Sequence, residues 1–159
     1  MKATHLVGGA ALGLILTGAG CSSPVSVPIA PGVTTNGNTT TYQNDNTTVN
    51  VGQGTQIPSN FPTDVPQYKN STVTEAAVTN ENGAGATLGF TTPDAATDVS
   101  SWYDTTLKAA GWTSTSNYNA SGSSSALYTK GTETLDVTIT AANGEPTNGL
   151  LIWQGDSSK

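Results

Sequence analysis

The sequence predicts an α+β domain in which one amphipathic helix packs on an antiparallel sheet of five or six strands. A signal peptide and a disordered polar linker are expected to precede it. Apolar residues recur at helical spacing over residues 94–110, and short alternating stretches separated by turn residues flank them. Thr, Ser, Gly and Asn account for 74 of the 159 residues, a composition that suits strands and turns better than several helices.

The helix is predicted from Asp94 to Ala110. Thr92 is suited to the N-cap, and Pro93 and Asp94 are suited to a first helical turn. Gly111 is suited to the position that ends a helix. The residues expected on one apolar face recur at steps of three and four: Val99, Trp102, Tyr103, Thr106, Leu107 and Ala110.

The sheet is predicted from alternating stretches on both sides of this helix. Asn82-Gly83 separates the first two stretches, and this dipeptide is a strong hairpin signal. Leu135, Val137 and Ile139 alternate with polar residues, which predicts one buried and one solvated sheet face. The predicted strands are Ser71–Thr79, Ala86–Thr92, Trp112–Asn119, Ser125–Lys130, Glu133–Thr140 and Leu150–Gln154.

The expected domain covers residues 57–155, with a short tail at 156–159. Prolines at 58, 62 and 66 make Ile57–Tyr68 an extended segment that precedes the first strand. Residues 21–56 are predicted to be a Ser/Thr/Asn/Gly/Pro-rich linker because few apolar residues are available to bury. Within it, turn residues Asn44–Asn46 between Thr-rich stretches indicate a hairpin at 41–52 as one alternative.

The N-terminus has the features of an export signal over residues 1–20. Lys2 precedes the apolar run Leu6–Leu16, and small residues lead to Cys21. The stretch LTGAGC (16–21) resembles the lipobox of bacterial lipoproteins, with Gly18 where that family prefers Leu. The resemblance implies that Cys21 carries a lipid anchor. An ordinary secretory signal and an uncleaved membrane anchor are the alternatives.

The C-terminal part carries a second resemblance. FPTDVPQY (61–68) and WYDTTLKAAGW (102–112), followed by closing strands, are similar to small C-terminal domains of uncharacterised bacterial envelope lipoproteins. The resemblance implies a fold and an envelope location, and it supplies no catalytic residue.

Composition excludes several function classes. His5 is the one histidine and lies in the expected signal, so a mature chain lacks histidine for a Ser-His or Cys-His nucleophile or for Cys/His zinc sites. The sequence contains no Arg, and its formal net charge of −6 disfavours nucleic-acid binding. We therefore expect no cofactor, no metal and no enzymatic activity.

Two groups of residues remain as candidates for chemistry. Asp94 and Asp98 are four residues apart and could serve a glycan hydrolase that uses carboxylates alone, although stabilisation of the helix N-terminus is the simpler interpretation. Trp112, Tyr118 and Tyr128 could form an exposed binding surface if one sheet face is open.

These observations predict a lipid-anchored protein on the exported side of a cell membrane or outer envelope. Its expected role is a non-enzymatic binding or interaction module, and a carboxylate-dependent envelope hydrolase acting on glycans is the alternative. The expected partners are the membrane, through the lipid, and an envelope protein or glycan. The sequence does not predict an oligomeric state.

Overall fold

A single antiparallel sheet carries the fold, and one helix packs on one of its faces. The computed structural model describes residues 32–80, 84–120 and 122–155, and these contain nine strands in the order β1-β2-β3-β4-β5-β9-β8-β7-β6. The elements are β1 (Val33–Asn36), β2 (Thr39–Gln43), β3 (Thr47–Val51), β4 (Thr72–Thr79), β5 (Ala84–Thr92), α1 (Ala96–Ala109), β6 (Thr113–Ala120), β7 (Ser123–Lys130), β8 (Glu133–Thr140) and β9 (Thr147–Gly155).

The sheet consists of two runs of consecutive hairpins that join in its middle. Strands β1 to β5 each pair with the next strand along the chain, and β6 to β9 do the same after the helix. The last strand then pairs with β5 over nine residue positions, from Ala84 opposite Gly155 to Thr92 opposite Thr147. The two meanders, β1–β5 and β6–β9, are therefore joined into one sheet by the long-range pairing of β5 with β9.

The prediction of an α+β fold with five or six strands is wrong, because the sheet has nine strands and is the dominant element among the described residues. The error lies in the segment predicted as a disordered linker, which contributes β1, β2 and β3 to this sheet. β3 pairs with the free side of β4, so its backbone groups are satisfied without a large apolar contribution. Thr-rich strands near the end of a sheet need few apolar residues, so their composition is similar to that of a polar linker.

The three N-terminal strands are fixed to the rest of the sheet by specific contacts. Asn50 is buried, and its side-chain amide donates to the Gln56 carbonyl oxygen at 2.7 Å. The Gly52 N–H donates to the Thr74 carbonyl oxygen at 2.8 Å. Gly52 has φ +130°, and a Cβ there would lie 2.1 Å from the Asn38 carbonyl oxygen, so the β1–β2 turn approaches it too closely for a side chain.

The helix begins two residues later than predicted. Asp94 is held in place because its carboxylate accepts hydrogen bonds from Tyr68 and Asn70, and its carbonyl oxygen accepts one from Thr147. The helix therefore begins only at Ala96, after a bend at Pro93 and Asp94, and the extended Ala95 is the N-cap, which makes no side-chain capping bond. The predicted end is close to the observed one, since Gly111 adopts φ +87° and the Trp112 N–H donates to the Leu107 carbonyl oxygen.

One side of the sheet, here called the covered face, carries the hydrophobic core. Val99, Tyr103 and Leu107 of α1 pack there, and so do Phe61 and Val65 of the proline-rich segment. The sheet residues of this core alternate along their strands: Ala76, Val78, Ala86, Leu88, Phe90, Tyr128, Leu135, Val137, Ile139 and Leu151.

Candidate functional site

The opposite side of the sheet, here called the open face, carries every large apolar side chain that is exposed in the described part of the chain. Strand alternation and the pairing register place all of them on the side away from α1. They are Tyr42, Val51, Tyr118, Leu127, Leu150 and Ile152. Since scattered apolar residues would occupy both sides of a molecule, their gathering on one face marks this face as a candidate binding surface.

A shallow trough runs along β5 in the middle of the open face. The open-face positions of this strand are Gly85, Thr87, Gly89 and Thr91, so two of the four carry no side chain. A Cβ at Gly85 would lie 3.3 Å from Thr79 Cγ2, and one at Gly89 would lie 3.3 Å from Glu75 Cβ. The glycines therefore lower the floor of the sheet between β4 and β9.

The walls of the trough combine apolar and polar groups. Ile152 of β9 lies opposite Thr87, and Leu150 lies opposite Gly89. On the β4 side, the Thr79 and Thr47 hydroxyl oxygens lie 3.1 Å apart, and Ala77 lies opposite Thr87. The hollow at the Gly85 end has a volume of about 280 Å³. It presents apolar carbon and hydroxyl groups side by side.

The charges of the open face are acidic. Glu75 lies opposite Gly89, and Asp136 lies opposite Ile152 on the far side of β9. The Asp136 carboxylate accepts a hydrogen bond from the Thr138 hydroxyl at 3.1 Å. None of the described strands presents a lysine on this face. An anionic partner would therefore meet like charge there, whereas a neutral or cationic partner would not.

The three aromatic residues predicted to form a binding surface do not share one. Trp112 and Tyr128 are 2% exposed, whereas Tyr118 is 65% exposed. Trp112 follows Gly111, whose positive φ turns the chain at the end of α1, and its side chain joins the hydrophobic core. Tyr128 lies on the covered face of β7, where its hydroxyl donates to Asp104 Oδ1 at 3.3 Å. Burial, followed by the Asp104 carboxylate, raises the pKa of Tyr128 to about 12.

The two carboxylates considered for catalysis lie at the start of α1 and have different surroundings. Tyr68 donates to Asp94 Oδ2 at 2.7 Å, and Asn70 donates to Asp94 Oδ1 at 2.8 Å. The Asn70 bond, followed by the Tyr68 bond, holds the pKa of Asp94 below its ordinary value of 3.8. Asp98 is exposed in the first turn of the helix. Asp94 is therefore an ionised residue that fixes the chain where the helix begins.

Several predicted features lie elsewhere. Cys21, the expected lipidation site, is outside the described residues. Within 32–80, 84–120 and 122–155, no cluster of three or more His, Cys, Asp or Glu side chains could hold a metal ion. In those same ranges, no helix has the length and apolar character required to cross a membrane.

The trough was missed in the sequence, although its signal is present there. Residues 85–89 read Gly-Ala-Thr-Leu-Gly, which alternates bare or hydroxyl positions with the buried Ala86 and Leu88. Leu150 and Ile152 flank the buried Leu151. An apolar strand with apolar residues on both sides usually indicates a strand covered on both faces. Here one of those faces is open.

The fold and this surface define a β-rich domain in which a single helix covers one sheet face and leaves the other accessible. Residues 71–156 match the START domain-like family, and the chain belongs to that family. The match runs from the start of β4 to the end of β9, so β1, β2 and β3 lie outside it. No curated protein and no solved structure matches the chain significantly.

Proposed function

We propose that this protein is a non-enzymatic binding module, anchored at the cell envelope through a lipid on Cys21, whose trough along β5 takes an envelope glycan. The observation that carries the proposal is that, within the described residues, all exposed large apolar side chains lie on the face that contains the trough. The START-like fold is a general ligand-binding fold, which is compatible with this role.

The glycan assignment follows from the chemistry of the trough. Sugar rings present C–H faces and hydroxyl groups together, so they require apolar carbon beside hydrogen-bonding groups. Ile152 and Leu150 supply the apolar side, and Thr47, Thr79 and Thr87 supply hydroxyls. An envelope protein is the second partner class, and the acidic open face disfavours a strongly anionic one.

The space between α1 and the sheet offers less support for a ligand. Val99, Tyr103 and Leu107 of the helix are at most 1% exposed, and Leu135 and Ile139 beneath them are fully buried. These side chains fill the interface themselves. The open face is therefore the better candidate.

A carboxylate-dependent hydrolase is the weaker candidate. A glycosidase needs one carboxyl group that is protonated to act as the acid, which requires a raised pKa. The pKa of Asp94 is lowered, and both of its carboxylate oxygens already accept hydrogen bonds. Replacement of Asp94 and Asp98 by Asn should therefore leave the biological function intact.

The anchor is supported by the lipobox-like sequence and is tested separately. Eleven residues separate Cys21 from Val33, so the first strand is at most about 40 Å from a lipid at Cys21. Bacteria that express the full chain would be fed an alkyne fatty acid. We expect label and membrane retention for the wild type, and neither for Cys21→Ala. Equal labelling of both, or of neither, would exclude the anchor at this residue.

The glycan site is tested by co-sedimentation of the full chain, carrying Cys21→Ser, with purified cell-wall sacculi. Ile152→Ser removes an apolar wall of the trough, and Leu127→Ser is the matched control, because both side chains are about 40% exposed on the same face. We expect the first variant to lower affinity about tenfold and the control to retain it, since one lost apolar contact contributes roughly 1–3 kcal/mol. Equal binding of the two variants would overturn the site, and absence of wild-type binding would overturn the ligand class.

A further inference from the structure

Strand β6 forms one end of the sheet and has the properties of a docking edge. It pairs with β7 on one side, and no described strand lies on its other side. Seven of its eight residues are exposed, and its sequence TSTSNYNA contains neither a charge nor a proline. Natural edge strands are usually protected by charged residues, prolines, β-bulges or shortness. β6 has one bulge, between Ser114 and Ser116, and none of the other protections.

The opposite edge differs. β1 has four residues and lies between Gly32 and Gly37, which both adopt positive φ. It therefore offers a short surface that ends in turns on both sides. β6 has one irregularity, between Ser114 and Ser116, where the Thr115 hydroxyl donates to the Leu127 carbonyl oxygen. Residues 116–120 continue in regular register beyond this bulge.

The register identifies which backbone groups of β6 face outward. Two residues separate Ala120 from its partner Ser123, and in such hairpins the closing pair is hydrogen-bonded. Ala120, Tyr118 and Ser116 therefore direct their backbone groups toward β7. Asn117 and Asn119 direct theirs away from the sheet and present two N–H donors and two carbonyl acceptors to a neighbour.

We propose that β6 pairs with β6 of a second copy of this chain, antiparallel and about a two-fold axis at Tyr118. An identical strand can meet this edge symmetrically, and an uncharged strand does so without like charges opposing each other. The regular segment 116–120 is centred on Tyr118, so the axis pairs Asn117 with Asn119 of the partner copy. Four backbone hydrogen bonds then form.

The proposal also accounts for the large apolar side chain that is most exposed in the described part of the chain. Tyr118 is 65% exposed, and in this arrangement its ring lies directly opposite its own symmetry mate on the open face. It occupies a position where Cα atoms approach to about 4.5 Å, the closer of the two antiparallel spacings. Aromatic side chains at such positions stabilise sheet pairing. The two open faces then become continuous.

The contact is small, because it consists of five residues from each copy. The surface area that it buries is therefore below the roughly 1,200 Å² typical of stable complexes, and we expect weak association in solution. Attachment of both copies to one membrane would strengthen it by raising their effective concentration. That last effect depends on the proposed anchor, whereas the pairing itself does not.

Disulfide trapping tests the pairing. Cys21 is the one cysteine, so the full chain carrying Cys21→Ser and Tyr118→Cys has a single thiol at the two-fold axis. A directly opposed pair at about 4.5 Å lies within the range that a disulfide spans. We expect rapid formation of a covalent dimer under mild oxidation. Thr35→Cys is the matched control, since it lies in the opposite edge strand, and it should react at least about tenfold more slowly.

A second variant removes the dependence on an introduced thiol. Tyr118→Lys places two ammonium groups opposite each other, whereas Tyr42→Lys introduces the same charge on the same face, far from β6. In sedimentation of the concentrated Cys21→Ser chain, the first substitution should abolish self-association and the second should preserve it. Equal crosslinking of the two cysteine variants, or a wild-type chain that stays monomeric at the highest concentration, would overturn the pairing. These results leave the glycan site unaffected, since sacculus binding is measured separately.

Discussion

The two faces of the sheet are built by the same strands and serve different ends. On β9, Leu151 is 1% exposed beneath α1, whereas its neighbours Leu150 and Ile152 are about 40% exposed on the open face. Neighbouring apolar residues of one strand therefore differ in exposure because they lie on opposite faces of the sheet. The covered face accounts for stability, and we propose that the open face accounts for binding.

The largest expected effect comes from adjacent leucines that belong to opposite faces. Leu151→Ala should lower the free energy of unfolding by about 2–5 kcal/mol, because it leaves a cavity in the core. Leu150→Ala should cost less than about 1 kcal/mol, since its side chain is already 38% exposed in the folded state and its removal leaves no enclosed cavity. Urea unfolding of both variants measures the difference. Similar losses would show that the open face is covered in solution.

The next effect concerns a tyrosine of the covered face in alkali. The folded state raises the pKa of Tyr128 from 10.0 to about 12, so it holds the proton more tightly than the unfolded chain. The stability contributed by neutral Tyr128 is complete below pH 10 and is lost as the pH rises through about 12. Tyr128→Phe should therefore flatten the decline of the urea midpoint over this range. An unchanged decline would show that Tyr128 is accessible to hydroxide.

A smaller effect tests whether the N-terminal strands belong to the sheet. Asn50→Ala leaves the Gln56 carbonyl oxygen without its donor and should cost about 1–3 kcal/mol. The exposed Asn36→Ala, in the outermost strand β1, is the control and should cost little. Hydrogen exchange should show protection of β3 comparable to that of β4. Exchange of β3 at the rate of an unstructured chain would contradict its place in the sheet.

The smallest effect concerns acid. The hydrogen bonds from Asn70 and Tyr68 lower the pKa of Asp94 from its ordinary value of 3.8. The stability that ionised Asp94 contributes is therefore complete above pH 3.8 and is lost as the pH falls through the lowered pKa. Asp94→Asn should reduce the acid dependence of the urea midpoint below about pH 4. The matched variant Asp98→Asn, one turn into the helix, provides the comparison. An identical acid profile for wild type and Asp94→Asn would show that these bonds do not persist in solution.

Sequence patterns predicted the covered face better than the open one. The alternation of Leu135, Val137 and Ile139 and the helical spacing of Val99, Tyr103 and Leu107 correctly placed these residues in the core. Such periodicity reports the face that excludes water. The trough depends instead on glycines that carry no side chain, and nothing in a single strand shows which neighbours form its walls.

For a related reason, β1 was missed, and β2 and β3 were predicted only as an alternative hairpin at 41–52. β1, β2 and β3 contain seven threonines, and their burial is partial, so their composition resembles that of a linker. Their stability depends on the pairing of β3 with β4, and β4 lies more than twenty residues further along the chain, so the composition of residues 33–51 alone does not reveal it. The predicted helix start failed because Asp94 is bound from two other parts of the chain, by Tyr68 and Asn70 before β4 and by Thr147 of β9.

The most direct test of the account is an NMR titration of the isotopically labelled full chain, carrying Cys21→Ser, with soluble glycan fragments released from sacculi. We predict that the largest changes in amide chemical shift occur at Gly85, Thr87, Gly89, Leu150 and Ile152, with little change along α1. Changes concentrated on α1 and the covered face, or no change in the presence of saturating glycan, would contradict the assignment of binding to the open face.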